Sequence, residues 1–535
     1  MSTTRRSLLK GAAAAGALTA LPQLAKAQTA APARANVLRC VMHADLASLD
    51  PIATTANIVQ YHGGLVYDTL FGVDAEGNPK LQMLASHTVS PDQLTHTMTL
   101  RPGLKFHDGA QVNSRDCVAS VKRWGARDGA GQHLMRQVAD ITPKDDNTFT
   151  LRLNKPYPMV DDWLGKFNPS VCWIMREKDA MTDPTRPITE AVGSGPYMYN
   201  RAETRSGAQY VYDRNPNYVA RSEPASFMSG GKVARMQRVI FQNMPDEQTA
   251  ISALLAGEID FIERTLPELR SQLANNPKVK TEVLNKTGDM GWVRLNHLHA
   301  PFNNVKGRQA MLALIDQNAM LKAMFGDLSN AGPCASLFGC GTTMENDANT
   351  GWFKSGQNIA KAAQLFKEAG YDGKPVVLLQ QASTQHFNNA SLMLAQLLRQ
   401  AGLNVTLVPL DWPGIVARRA NKSAPAEGGW NIFLTSGSGA AFSNPITLAG
   451  HAANGEKGWF GWPEDARHEQ FRDAWINSPN LEARKKVARD MQENAWNFVP
   501  HVYLGRWNVV SAMRSDIKGM IAMPEMVPFW NVQRG

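Results

Sequence analysis

Four short stretches hold residues whose types and spacing could do chemistry: His297 and His299 as a His-x-His pair, Phe106-His107-Asp108-Gly109, and the serines of Gly193-Ser194-Gly195 and Gly437-Ser438-Gly439. A His-x-His pair binds metal when both rings face one way, but it needs further ligands, and the sequence around it offers none. His107 with Asp108 has the make-up of a general base and its acid. Asp-Gly, however, is a turn pair, and Phe106 beside it suits a core. Neither serine fits the G-x-S-x-G elbow of a hydrolase. A phosphate-binding loop, an HExxH pair and a dinucleotide fingerprint are all missing. Five cysteines, Cys40, Cys117, Cys172, Cys334 and Cys340, form no CxxC, so zinc and iron–sulfur centres lack support. The expectation is no catalysis, no metal and no cofactor.

The first residues say where the protein works. Thr4-Arg5-Arg6-Ser7-Leu8-Leu9-Lys10 precedes the apolar, alanine-rich run Gly11 to Leu21, and Ala25-Lys26-Ala27 supplies an A-x-A cleavage site. Arg5 and Arg6 followed by Leu-Leu-Lys resemble a twin-arginine export signal; the alternative is an ordinary secretory signal. Either reading makes residues 1–27 a signal peptide and the mature chain periplasmic. That apolar run is too short and too rich in glycine and alanine for a good membrane span, and no other run approaches the ~20 residues required. In an oxidising compartment Cys334 and Cys340, flanking a short glycine-containing loop, would form a local structural disulfide; two free buried thiols are the alternative. The formal charge of +9 falls to +5 when the signal is removed with its four basic residues and no acid, which is not a nucleic-acid footprint. With 43% hydrophobic and 19% charged residues, the chain is an ordinary globular protein long enough for several structural units.

Any site must be positioned by the elements around it. Residues 28–36 read as disordered, Val37 to Met42 as a strand, and Ile58 to Leu70 as a helix. Strands around Leu94 to Leu100 and Phe149 to Leu153 flank a helix opened by Asn113. Pro245 to Ala256 is a helix closed by Gly257, with a strand at Ile259 to Ile262. Trp292 to Asn296 alternates as a strand, and Asn303 and Asn304 can cap a helix carrying Met311, Leu314 and Ile315. This unspaced strand, turn and helix, in a chain too long for one core, reads as a hinge. Beyond it, helical stripes end at Gly370 and Gly402, with strands at Val376 to Leu379 and Val405 to Leu410. That spacing predicts a parallel, doubly wound second lobe. His501 to Val510 is expected to be a strand returning to the first lobe.

Several ordered blocks then carry a resemblance: Leu49-Asp50-Pro51, Val66-Tyr67-Asp68-Thr69-Leu70-Phe71, Leu100-Arg101-Pro102-Gly103-Leu104-Lys105-Phe106-His107-Asp108-Gly109, Gly193-Ser194-Gly195-Pro196-Tyr197, Leu255-Ala256-Gly257-Glu258-Ile259-Asp260-Phe261, and Ala300-Pro301-Phe302 with Arg308-Gln309-Ala310. In this order they resemble the extracellular solute-binding proteins, family 5, of ABC importers, the dipeptide- and oligopeptide-binding class. The resemblance spans the mature chain. It implies an α/β, two-lobed periplasmic-binding-protein-like fold of type II, with an extra subdomain inserted in lobe 1, and an ABC transporter permease as partner of a monomer. Residues 36–60, 185–295 and 501–535 are expected to form the main part of lobe 1, 61–184 the inserted subdomain and 296–500 lobe 2.

The resemblance also nominates ligand contacts. Trp412, in Leu410-Asp411-Trp412, resembles a tryptophan that borders the ligand pocket, and Arg419 an arginine able to face an anionic group; the bland alternatives are a core indole and a solvated ion-pair partner. Tyr503 resembles an aromatic that lines the cleft. Thr54, Thr55 and Asn57 look like positions that approach ligand with backbone and short polar groups. The loop Thr435 to Pro445 departs from the peptide-binding pattern, because Ser438 and Ala441 stand where a tryptophan and an ammonium-binding aspartate are expected. Either another acid supplies the clamp, or the solute lacks a free amine and is anionic or neutral and amphipathic, since a buried ammonium without a counter-charge costs several kcal/mol. The expected mechanism is closure of two lobes on a small peptide or peptide-like solute, hinged near Asn296 and Pro500, with delivery to the permease. The competing readings are an exported cofactor-dependent enzyme and a sensor presenting solute to a receptor.

Overall fold

The strand Val37–Val41 has Val37, Leu38, Cys40 and Val41 all buried, the signature of a strand covered on both faces. In a computed structural model, which describes residues 34–535 apart from 47, 169 and 383, it lies centrally in a seven-stranded sheet. It runs parallel to Arg238–Gln242 on one side and Phe261–Ile262 on the other. Antiparallel strands complete the order: Tyr197–Tyr199 and Gln209–Arg214 beyond the first, Ser511–Arg514 and Val279–Glu282 beyond the second. Helix Glu247–Ala256 covers one end, capped by Asp246 and ended by Gly257 at φ 77°, a left-handed turn that suits glycine. The signal residues 1–27, with Arg5 and Arg6, lie outside the described residues. Arg34–Asn36, read as disordered, form a short 3-10 turn.

The inserted segment holds a four-stranded antiparallel sheet in the order Leu84–Val89, Thr95–Leu100, Thr148–Leu153, Val138–Pro143. Its helix Ser114–Arg127 starts at a capping box in which Asn113 and Asp116 satisfy each other's end groups. Arg123 on that helix donates to Asp50 at 2.7 Å, both side chains being inaccessible. Asp50 also accepts from the backbone of Ile52, Ala53 and Ile188, tying the insertion to the first lobe.

The second lobe is a six-stranded sheet in the order Ala331–Gly332, His501–Trp507, Asp289–Leu295, Ile432–Ser438, Val376–Gln381, Val405–Leu410. The parallel expectation describes half of it, the last three strands. The other half is antiparallel, and His501–Trp507 does not return to the first lobe; it pairs with Asp289–Leu295 here. The chain enters on Asp289–Leu295 and leaves on His501–Trp507, and two neighbouring strands that enter and leave from one side must run oppositely. Segments 289–295 and 501–507, assigned from sequence to lobe 1, are therefore strands of the second sheet. The crossings fall at residues 283–288 and 508–510. Asn296 and Pro500 are internal to the second lobe: Asn296 donates to the Trp430 carbonyl, and the His297 ring bonds the Pro500 carbonyl. Cys334 and Cys340 are joined, while Cys40, Cys117 and Cys172 are free and buried. Among the described residues no helix is long and apolar enough to cross a membrane.

Candidate functional site: the cleft between the two sheets

Asp289 opens the entry strand and sits opposite Ser438 on the neighbouring strand. Ser438 ends that strand because Gly439 follows with no room for a side chain: a Cβ there would lie 2.3 Å from the Thr287 carbonyl oxygen. From the first lobe come Asn57 and Tyr61 at the start of helix Asn57–Val66, Glu263 and Arg264 just after strand Phe261–Ile262, and Glu525 in the C-terminal loop. Glu525 holds φ 65°, a strained conformation for a residue with a side chain. These groups enclose a cavity of about 60 Å³, which opens into one of about 410 Å³ lined by Thr55, Asn168, Ser436, Gly437, Thr447 and Leu448.

Two further cavities extend the cleft. One of about 350 Å³ shares Arg264, Asp289 and Ser436 and is walled by Phe325, His386, Phe387 and Trp507. Phe325 stacks on His386 at 5.3 Å between ring centres and packs against Trp507 at 5.2 Å, giving an apolar aromatic wall. The other, about 330 Å³, lies between Lys166, Phe167 and Asn168 of the insertion and Lys286, Thr342 and Ala440.

Acids dominate the narrow part. Glu263 is buried but satisfied: His43 donates its backbone N–H at 2.9 Å and bonds through Nδ1 at 2.7 Å, and Tyr61 donates at 2.9 Å. Burial pushes its carboxyl up, and the His43 bonds with Arg264 outweigh that, leaving it below its usual value. Glu525 differs, being pushed up to about 7 by burial first and by Asp289, against the partial help of Ser438, Lys166 and Asn57. Burial likewise raises Asp289. Neither Oε1 of Glu525 nor Oγ of Ser438 completes a hydrogen bond of good geometry among the described residues. Arg264 lies 3.9 Å from Glu263, and Lys166 is held by Asp128 at 2.9 Å.

Of the residues nominated from sequence, Thr55, Asn57 and Ser438 line this cleft. Thr54 shapes the turn before them: its hydroxyl accepts from the Ala56 N–H and its carbonyl from Gln60 and Ser170. Tyr503 does not line the cleft; it is fully buried and donates to the Leu337 carbonyl at 2.5 Å, because its strand lies inside the second sheet. Trp412 and Arg419 lie outside the cavities described above. Trp412 begins a short helix and is partly exposed, and the Arg419 guanidinium packs over Trp412, Phe433, Trp459 and Phe460 at 4.6–5.9 Å. The anionic reading of the solute leaned on Arg419 and loses that support.

The other chemical-looking stretches are scaffold. His107 accepts from the Gly193 N–H and bonds the Gly195 carbonyl, and Asp108 pairs with Arg176. His297 and His299 bond different carbonyls, those of Pro500 and Lys422. His87, His96 and Asp161 cluster in the insertion with one ligand atom from each within 4.8 Å of the others, and Asp161 and His96 approach opposite nitrogens of the His87 ring at 3.3 and 2.9 Å. Sequence reasoning missed Asp289, Arg264 and Glu525. The signal for Glu525 is a lone acid in the proline-framed apolar run Met523-Pro524-Glu525-Met526-Val527-Pro528.

The profile of bacterial extracellular solute-binding proteins, family 5 Middle, matches residues 78–459. A probable peptide ABC transporter periplasmic-binding protein of Sinorhizobium fredii is 43% identical over the full length of both chains. A glutathione-binding protein of Pectobacterium atrosepticum is 24% identical over 89% of this chain and 90% of its own. The periplasmic binding protein DppA of Helicobacter pylori, solved with the peptide STSA, superposes with a TM-score of 0.73 at 20% identity, covering 93% of this chain and 98% of that one. A cleft walled by both sheets, with a profile match across most of the chain and a full-length relative at 43% identity, places it in a family that binds solutes for import: the chain belongs to the bacterial extracellular solute-binding proteins of family 5.

Proposed function

We propose that the mature chain is a periplasmic, monomeric receptor that closes its lobes on a peptide or peptide-like solute and hands it unaltered to the permease of an ABC importer, after export directed by residues 1–27. The observation that carries this reading is that both lobes wall the same cavities: Thr55, Asn57, Arg264 and Glu525 from one, Asp289, Ser436, Ser438 and Thr447 from the other. A solute touching both walls stabilises the closed form in proportion to its preference for that form, which is the requirement for ligand-driven closure. The hinge is assigned to the crossings at residues 283–288 and 508–510. The relatives' peptide and glutathione ligands support a short peptide-like solute.

Native mass spectrometry of the purified protein tests this, combined with small-angle scattering after the bound molecule is removed and returned. The expected result is one retained small molecule, recovered chemically unchanged, whose return lowers the radius of gyration. Turnover of that molecule, or scattering that does not respond to it, overturns the reading.

A further inference from the structure

We propose that Glu525 of the first lobe and Asp289 of the second form a split carboxylate pair that takes a cationic group of the solute, a primary ammonium or a guanidinium. This rests on the cleft being the solute site and adds the chemistry that the site selects.

The two acids reach one 60 Å³ cavity from opposite sides of the closing cleft. Glu525 is only 8% exposed, and its Oε1 has no hydrogen-bond partner among the described residues. A carboxylate so placed is costly unless something cationic meets it. Of the resident cations, Lys166 is paired with Asp128, and Arg264, the guanidinium lining the cavity, lies 3.9 Å from Glu263 and also favours the charged form of Asp289, but among the described residues makes no ion pair with Glu525. Glu263 itself is satisfied by His43 and Tyr61. The Asp289 charge disfavours the charged form of Glu525, and like charges drawn together oppose closure. An ammonium placed between them removes that opposition. It has three donors, and the cavity offers Glu525 Oε1 and the Ser438 hydroxyl without a hydrogen-bond partner of good geometry among the described residues, with the Asp289 carboxylate lining the same space. The larger adjoining cavities take the rest of the solute, including an apolar group against Phe325, Phe387 and Trp507. The acid absent from the loop at Ser438 and Ala441 is thereby supplied from the opposite lobe, beside the same serine.

The test uses a library of dipeptides and tripeptides and the same library N-acetylated, screened by thermal shift against wild type, Glu525→Gln and Asp289→Asn, with calorimetry on the hits. The expected result is that free-amine members bind and acetylated ones do not, and that Glu525→Gln weakens the hits roughly 10- to 100-fold, the loss of one buried charge-assisted bond. Circular dichroism verifies that the variants fold. Equal binding of acetylated members, or undiminished affinity in Glu525→Gln, overturns the carboxylate assignment and leaves the solute-binding reading intact. A neutral or anionic solute found on the purified wild type by native mass spectrometry does the same, whereas a cationic one that Glu525→Gln no longer retains supports the assignment. Scattering that stays unchanged with a bound hit sinks the reading of a closing receptor instead.

Discussion

Asp50 and Arg123 show what a single buried pair does for this architecture. Both are inaccessible, and the carboxylate is completed by three backbone N–H groups, so removing it strands a guanidinium in the interior. Asp50→Ala is expected to cost about 3–5 kcal/mol, read from urea unfolding. Trp412 belongs to the other extreme. Its indole covers Arg419 at the surface of the second lobe, so Trp412→Ala should cost only about 0.5–1 kcal/mol and leave solute affinity unchanged by calorimetry. The contrast explains what was legible at this scale. Asp50 sits in a block carried by the family resemblance, and Thr55, Asn57 and Ser438 were within reach because the same resemblance points to their positions. Asp289 and Glu525 were not, since each becomes a site residue only through the other, across more than two hundred residues of chain. Tyr503 was misread because a buried tyrosine and a cleft-lining one have the same local pattern; only the Leu337 carbonyl distinguishes them.

The crossings between sheets are where element-scale behaviour concentrates. Gly288, immediately before the entry strand, has φ 64°, and a Cβ there would lie 2.4 Å from the Trp507 carbonyl oxygen on the exit strand. Gly288→Ala should therefore destabilise the protein by more than about 1 kcal/mol and hinder closure, seen as a lower melting temperature and a muted scattering response to solute. Helices were largely readable because their ends are marked: Asn113, Asp246 and Asn304 cap theirs, and Gly257 closes the one that Asp246 opens. The crossings were not, because Asp289–Leu295 and His501–Trp507 are buried along nearly their whole length and show no change of pattern where one lobe gives way to the next. Within the second lobe, the Cys334–Cys340 bridge closes a loop of sequence separation 6. Replacing both cysteines by alanine should remove about 2 kcal/mol of stability by denaturant unfolding, the loop-closure value for so short a ring.

At the scale of the whole molecule, the acids of the cleft and the histidines of the second lobe pull stability in opposite directions with pH. Burial lowers His451 to about 3 and His468 to about 4, and drives His297 and His501 well below their usual value, with Arg294, Arg308 and Arg472 adding to the effect and Asp465 opposing it at His468. These rings contribute stability above their unfolded value of about 6.5 and lose it as pH falls toward the folded values. Glu525 behaves in reverse. Its folded value of about 7 lies above the unfolded one, so the empty folded form binds more protons than the unfolded chain between about 4.5 and 7, and stability falls as pH rises through that window. Asp289 shifts the same way, with Glu263, Arg264, Lys166 and Tyr61 as the other titratable or charged neighbours of the pair. Below about 6.5 these and the other histidines that burial lowers, His62, His96, His107, His133 and His386, outweigh Glu525, which is still losing its proton as pH passes about 7. The melting temperature of the empty protein should therefore peak near neutrality, and Glu525→Gln should flatten the alkaline side of the curve while leaving the acid limb in place. A cationic solute should flatten the same side in the wild type, because a charge between the carboxylates does what the proton does. An alkaline limb that survives both changes would mean that the two acids do not oppose closure.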